Sequence, residues 1–173
     1  MTNELGIKQG DVVFSRGNNW FERLIRFGTR SEINHVGIVY KVHEDGVIVA
    51  ESMPEGFVKN FYHNNYILTD CEVRRVFKTM SPNKTEKLLL TIDSFIGTPY
   101  DWLAIKRIIL KILTLGLYKG WLTTEHKMIC SESVARILSI MGWRKVPKIY
   151  DMTTPKDLRW AMDIIVSPLA QKQ

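Results

Sequence analysis

Two β-branched runs, Val36-Gly37-Ile38-Val39-Tyr40-Lys41-Val42 and Val47-Ile48-Val49-Ala50, stand on either side of His43-Glu44-Asp45-Gly46. Such residues suit the pleated, half-buried surface of a sheet, and an Asp-Gly pair between two of these runs favours a tight reversal, so the spacing predicts an antiparallel hairpin. Shorter runs at residues 10–15, 56–61 and 72–77 predict further strands. From Ser81 the period changes. Ser81 can cap a helix, Pro82 suits its first position, and Leu88, Leu89, Ile92, Phe95 and Ile96 make a stripe that stops at Gly97. Residues 131–141, closed by Gly142, read as another helix, and Thr154-Pro155 opens a last one through Met162. Residues 18–27, halted near Gly28, read as a helix as well. Strands gathered in the first half and helices mostly in the second predict an α+β domain with a largely antiparallel sheet.

A chain of 173 residues is long enough for one domain with a proper core, and nothing in it reads as a linker or repeat, so residues 1–173 are expected to form a single domain. The start lacks the basic and apolar blocks of a secretory signal, and two cysteines are too few for a disulfide framework, which points to a cytoplasmic home. A formal charge of +6 favours anionic partners: nucleic acid, an anionic membrane surface, or a wall polymer. Specific nucleic-acid binding is the least expected, because no recognisable module is present.

Cys130 precedes the apolar period of residues 131–141 and therefore sits at a predicted helix start. Free N–H groups and partial positive charge there lower a thiol's pKa and can hold an oxyanion. His35, on the first hairpin strand, is the candidate base; strand placement favours it over His126, four residues before Cys130, which remains a rival. His43 falls in the hairpin turn and His63 in the loop-like stretch 61–66, where solvation is expected. Glu51, ending the second strand, is the first candidate to orient the imidazole, with Glu55, Asp11 and Asp101 behind it. Strand parity decides whether Glu51 reaches His35. A two-residue Asp45-Gly46 turn sends it to the opposite face, an odd loop brings it to the same face, and a bulge reverses either outcome. Cys71 lies within a strand pattern and reads as structural. No spacing of Cys, His or carboxylates suits a metal, and no phosphate-binding glycine loop appears, so neither metal nor cofactor is expected.

In chain order, Gly10-Asp11-Val12-Val13-Phe14, Asn34-His35-Val36-Gly37-Ile38-Val39, Val49-Ala50-Glu51, Val73-Arg74-Arg75-Val76, Gly97-Thr98-Pro99-Tyr100-Asp101 and Cys130-Ser131-Glu132-Ser133-Val134 form an ordered set that resembles the permuted papain-like amidases of the YaeF/YiiX group, relatives of the NlpC-type cysteine peptidases. The resemblance implies a papain-like, circularly permuted NlpC-type fold with a small antiparallel sheet packed against helices. It also implies Cys130 as nucleophile, His35 as base and Glu51 as orienting group. Ile129 and Ser133 depart from the aromatic and the leucine common in that group, which alters the pocket lining. The expected activity is cleavage of an amide bond, in a cell-wall peptide or similar small peptide, through an acyl-enzyme. A lipid acyl hydrolase or acyltransferase at a membrane surface, and an inactive binding module, are the competing readings.

Residues 102–118 carry Lys106, Arg107 and Lys111 among apolar side chains, too many charges for a bilayer span. They read either as a core helix with outward-snorkelling lysines or as a lid or membrane-surface helix.

Overall fold

A computed structural model describes residues 4–16, 33–103, 106, 114, 129–145 and 153–166. The predicted helix 18–27, most of the cationic segment 102–118, and His126 lie outside these residues. Six strands form one sheet: β1 (Val12–Ser15), β2 (His35–Val42), β3 (Gly46–Met53), β4 (Gly56–His63), β5 (Cys71–Arg75) and β6 (Asp163–Val166). Their order is β4-β3-β2-β1-β5-β6, and neighbours pair antiparallel throughout. The helices are α1 (Asn64–Asp70), α2 (Pro82–Phe95), α3 (Cys130–Ile140) and α4 (Pro155–Arg159). The chain is therefore α+β, as its pattern predicts.

Both faces of the central strands are covered, which explains why β1 and much of β2 read as continuous apolar runs rather than as strict alternation. On one face Val12, Phe14, Val36, Ile38, Ala50 and Phe57 join a core with Leu88 and Ile92 of α2 and Val134, Ile137 and Leu138 of α3. On the other, Val13, Val39, Val47, Val49 and Val73 pack with Ile7 and with Ile67 of α1. Burial of a single Val, Leu, Ile or Phe side chain stabilises by about 1.5–3 kcal/mol, so these two clusters fix which side of each strand faces which layer.

The α2 start matches its signal: the Ser81 side chain accepts from Lys84 N–H at 3.3 Å and Pro82 takes the first turn. Ile96, expected in the buried stripe, is instead exposed, because the helix has ended one residue earlier. Two other expectations are corrected, and one further strand is present. Residues 61–63 complete β4, and residues 64–66 open α1, so the stretch 61–66 is not a loop; the period-two pattern that starts at Gly56 runs on to His63. The last helix stops at Arg159, three residues before Met162, and residues 163–166 form β6 against β5. The extra strand is anchored by buried charge rather than by a sequence period. Glu72 bonds Arg74 and receives the Arg159 fork at 2.9 and 2.6 Å, while Arg74 Nη1 donates to the carbonyls of Arg159 (2.8 Å) and Met162 (3.0 Å).

Candidate active site

The hairpin settles the parity question through a bulge. His43 N–H donates to Gly46 C=O at 2.9 Å, so Glu44 and Asp45 occupy the two turn positions, and Gly46 belongs to β3. With that even loop alone, Glu51 would lie opposite Ile38 and point away from His35. The register shifts between Val39 and Lys41, however, and Glu51 pairs with Gly37. Gly37 and His35 are two residues apart on one strand and share a face, so the extra residue, Tyr40, turns Glu51 toward the imidazole.

Gly37 also supplies space. A Cβ there would lie 2.4 Å from Val49 Cγ1 and 3.1 Å from both Ala50 O and Glu51 Cβ. The bare backbone lets Glu51 cross the neighbouring strand diagonally. Its Oε2 lies 2.6 Å from His35 Nε2, with the ring 12% exposed and the carboxylate 2% exposed. The other oxygen, Oε1, accepts from Asn60 Nδ2 at 2.9 Å and from Tyr62 Oη at 2.5 Å. Burial of Glu51 would favour its neutral form, but the bonds and charge of His35 together with the Tyr62 and Asn60 donors outweigh it and hold the carboxyl below its ordinary range.

On its other side the ring meets Cys130. Burial pulls the His35 pKa down, but hydrogen bonding to Cys130 and to Glu51 and the negative charge of both raise it well above its ordinary value. With Nε2 engaged by Glu51, Nδ1 is the nitrogen left to the thiol. Cys130 is the first residue of α3 and is 7% exposed. Ile129, at the N-cap, carries no side-chain acceptor, so that residue leaves the positive end of the helix uncapped beside the sulfur. Two contacts fix the helix start. Ser131 Oγ donates to Thr153 C=O at 2.5 Å, and Ser52 Oγ of β3 donates to Ser133 Oγ at 3.1 Å. The same Ser133 hydroxyl donates back to Cys130 C=O at 2.9 Å.

The fallback carboxylates are elsewhere. Asp11 takes both nitrogens of the Arg75 fork at 2.8 and 2.7 Å, Asp101 is buried, and Glu55 stands exposed in the β3–β4 turn. Gly56 follows that turn at φ +124°, where its missing side chain admits Thr98 O; Phe57 exchanges backbone hydrogen bonds of 2.9 Å with Thr98 and Gly97. Loop 97–101 is thereby seated at the His35 end of the sheet. His43 and His63 flank Phe61 as edge-on ring neighbours, remote in register from His35.

Cys71 is fully buried in β5, and burial, with the charges of Asp70 and Glu51, pushes its thiol up to about 12. It lines a small cavity with Ser15, His35, Gly37, Glu51 and Tyr62, to which Cys130 does not contribute. Sequence reasoning missed Asn60 and Tyr62. Their alternation with Lys59 and Phe61 was the available signal, once β4 was carried to His63.

No family model matches the chain, and no curated protein sequence does. Among solved structures it is similar to the metalloprotein yiiX from Escherichia coli O157:H7, DUF1105, at 21% identity and a TM-score of 0.56, over 94% of this chain and 90% of that one. The likeness covers nearly the whole of both chains and shows a YiiX-like fold.

Proposed function

We propose that the protein is a cysteine hydrolase of the permuted papain-like kind, acting on an amide bond through a thioester on Cys130. The observation that carries this reading is the ordered contact series of Cys130 at a helix start, the His35 ring, and Glu51 at 2.6 Å from the far ring nitrogen.

In the reaction, His35 holds the proton given up by Cys130, and the thiolate sulfur attacks the carbonyl carbon. Charge developing on the carbonyl oxygen is met by N–H groups at the start of α3. His35 then passes its proton to the leaving amine, the C–N bond breaks, and an acyl thioester remains. Water attacks that carbonyl, His35 takes the water's proton, and the C–S bond breaks to release the acid. Glu51 stays ionised and balances the imidazolium in both halves.

The E. coli neighbour is described as a metalloprotein. In this chain both Glu51 oxygens are occupied by Asn60, Tyr62 and His35, and among the described residues no three His, Cys, Asp or Glu side chains are grouped to hold an ion. The donor set around Glu51 among the described residues does not fit a resident metal.

A second reading, an acyl hydrolase or acyltransferase working at an anionic membrane surface, is favoured by Trp102 and Leu103, which stand 45% and 43% exposed at the head of the cationic segment. No described helix is long and apolar enough to cross a membrane. Mass spectrometry of the adduct trapped on Cys130 separates the readings, since a peptide acyl group and a fatty acyl group differ in mass. Iodoacetamide alkylation of the Cys130 peptide across pH tests both at once. Alkylation is expected to be rapid well below pH 8, and a rate that follows an ordinary thiol pKa of about 8.5 overturns the hydrolase reading.

A further inference from the structure

We infer that Tyr62 is a positioning residue that fixes the ionised, inward-facing state of Glu51. This rests on the Cys130–His35–Glu51 reading and deepens it. Glu51 has one oxygen turned to His35, and the other is held by two donors from the edge strand β4, Asn60 Nδ2 at 2.9 Å and Tyr62 Oη at 2.5 Å. Two-sided holding removes the rotational freedom of a terminal carboxylate, so Oε2 faces Nε2 without the imidazole having to recruit it.

Tyr62 is held in turn. Its ring stacks on Tyr66 of α1 at 5.2 Å and 20°. Its hydroxyl proton is retained far above the ordinary phenol range, because burial and the Glu51 carboxylate both oppose a phenolate, so Tyr62 acts as a donor at every working pH. Tyr66 is pushed up to about 12 by burial and by Cys71, and its hydroxyl is engaged by Ser15 and Cys71 rather than by Glu51. The titratable groups facing Glu51 are thus His35 from β2, Tyr62 from β4, Tyr66 from α1 and Cys71 from β5, with Cys130 of α3 beyond the ring and Asp70 of α1 acting on Tyr66 and Cys71. Within this set the two tyrosines differ in one respect that a measurement can isolate: only Tyr62 donates to the carboxylate.

The test compares Tyr62→Phe with Tyr66→Phe, each of which removes one hydroxyl and keeps its ring in the stack. The Glu51 carboxyl titration is followed by carbon NMR in each full-length variant. A donor to the ionised form is lost in Tyr62→Phe, so its midpoint is expected to rise by about one pH unit, a tenfold weaker ionisation. The acid limb of Cys130 alkylation should move upward with it. Tyr66→Phe should move the Glu51 midpoint by no more than a few tenths. A Tyr62→Phe midpoint within a few tenths of the parent value overturns the inference, as does an equal rise in both variants, which would mark general loosening. If the Glu51 midpoint rises in Tyr62→Phe alone while Cys130 of the parent protein alkylates as an ordinary thiol, Tyr62 stands as assigned and the hydrolase reading fails.

Discussion

Gly37→Ala probes the contact on which the Glu51 geometry depends. The added methyl would lie 2.4 Å from Val49 Cγ1, about 1.5 Å inside ordinary carbon contact, and 3.1 Å from Ala50 O and Glu51 Cβ. Val49 is 1% exposed and packed in the second core, and the cavity it lines with Gly37 is small, so it can yield only by disturbing its neighbours. Overpacking of this kind costs about 1–3 kcal/mol. Replacing glycine in a strand recovers roughly 0.5–1 kcal/mol of chain entropy, and Gly37 has no positive φ that would add strain. The net expectation is a destabilisation of about 1–2 kcal/mol. Val49→Ala alone removes two methyl groups and should cost about 2 kcal/mol. It also removes the clashing atom. The double variant should therefore be less destabilised than the sum of the two single costs by about 1 kcal/mol or more. Urea unfolding of the four proteins, with slopes compared to verify a common denatured state, measures the cycle. Additivity within about 0.5 kcal/mol would refute the close-approach argument, and with it the account of why glycine stands opposite Glu51.

Glu72→Gln leaves the Arg74 and Arg159 guanidiniums facing each other around a nearly buried site, and should destabilise by about 3 kcal/mol in denaturant unfolding; a loss below about 1 kcal/mol would show that β6 is held by something else. Acid stability follows from the same groups. Glu51 and Glu72 are both held below the ordinary 4.5, so their contribution is complete above that value and is lost as pH falls through their folded midpoints. His35 has the opposite sign: raised above 6.5, it stabilises fully below that pH and loses its contribution as pH rises through its folded midpoint. Glu51→Gln should flatten part of the acid slope and lower the His35 midpoint, read by nitrogen NMR, by at least about one unit. An unchanged His35 midpoint would mean that the carboxylate does not govern the ring.

Much of the layered plan was legible because it rests on local chemistry. Two β-branched runs around a turn signal gave the hairpin, Ser81-Pro82 gave the α2 start, and the apolar period after Cys130 gave α3. The strand β6 was not legible, since its short run becomes a strand only when Arg74 and Glu72 engage Arg159 and Met162, more than 80 residues away. Asn60 and Tyr62 were hidden for a related reason: nothing local says that a polar residue on an edge strand will find a carboxylate on its neighbour.

By itself the sequence determined the class of fold, the element that carries Cys130, and the strands that carry His35 and Glu51, because hydrophobic period and capping act over a few residues. Whether those three side chains meet was decided by tertiary structure alone. The even Glu44–Asp45 turn aims Glu51 away from His35, and the one-residue bulge at Tyr40 turns it back. Side chains alternate with a period of two along a strand, so a single extra residue, fixed only by how the sheet packs between its two cores, chooses the face on which the carboxylate stands.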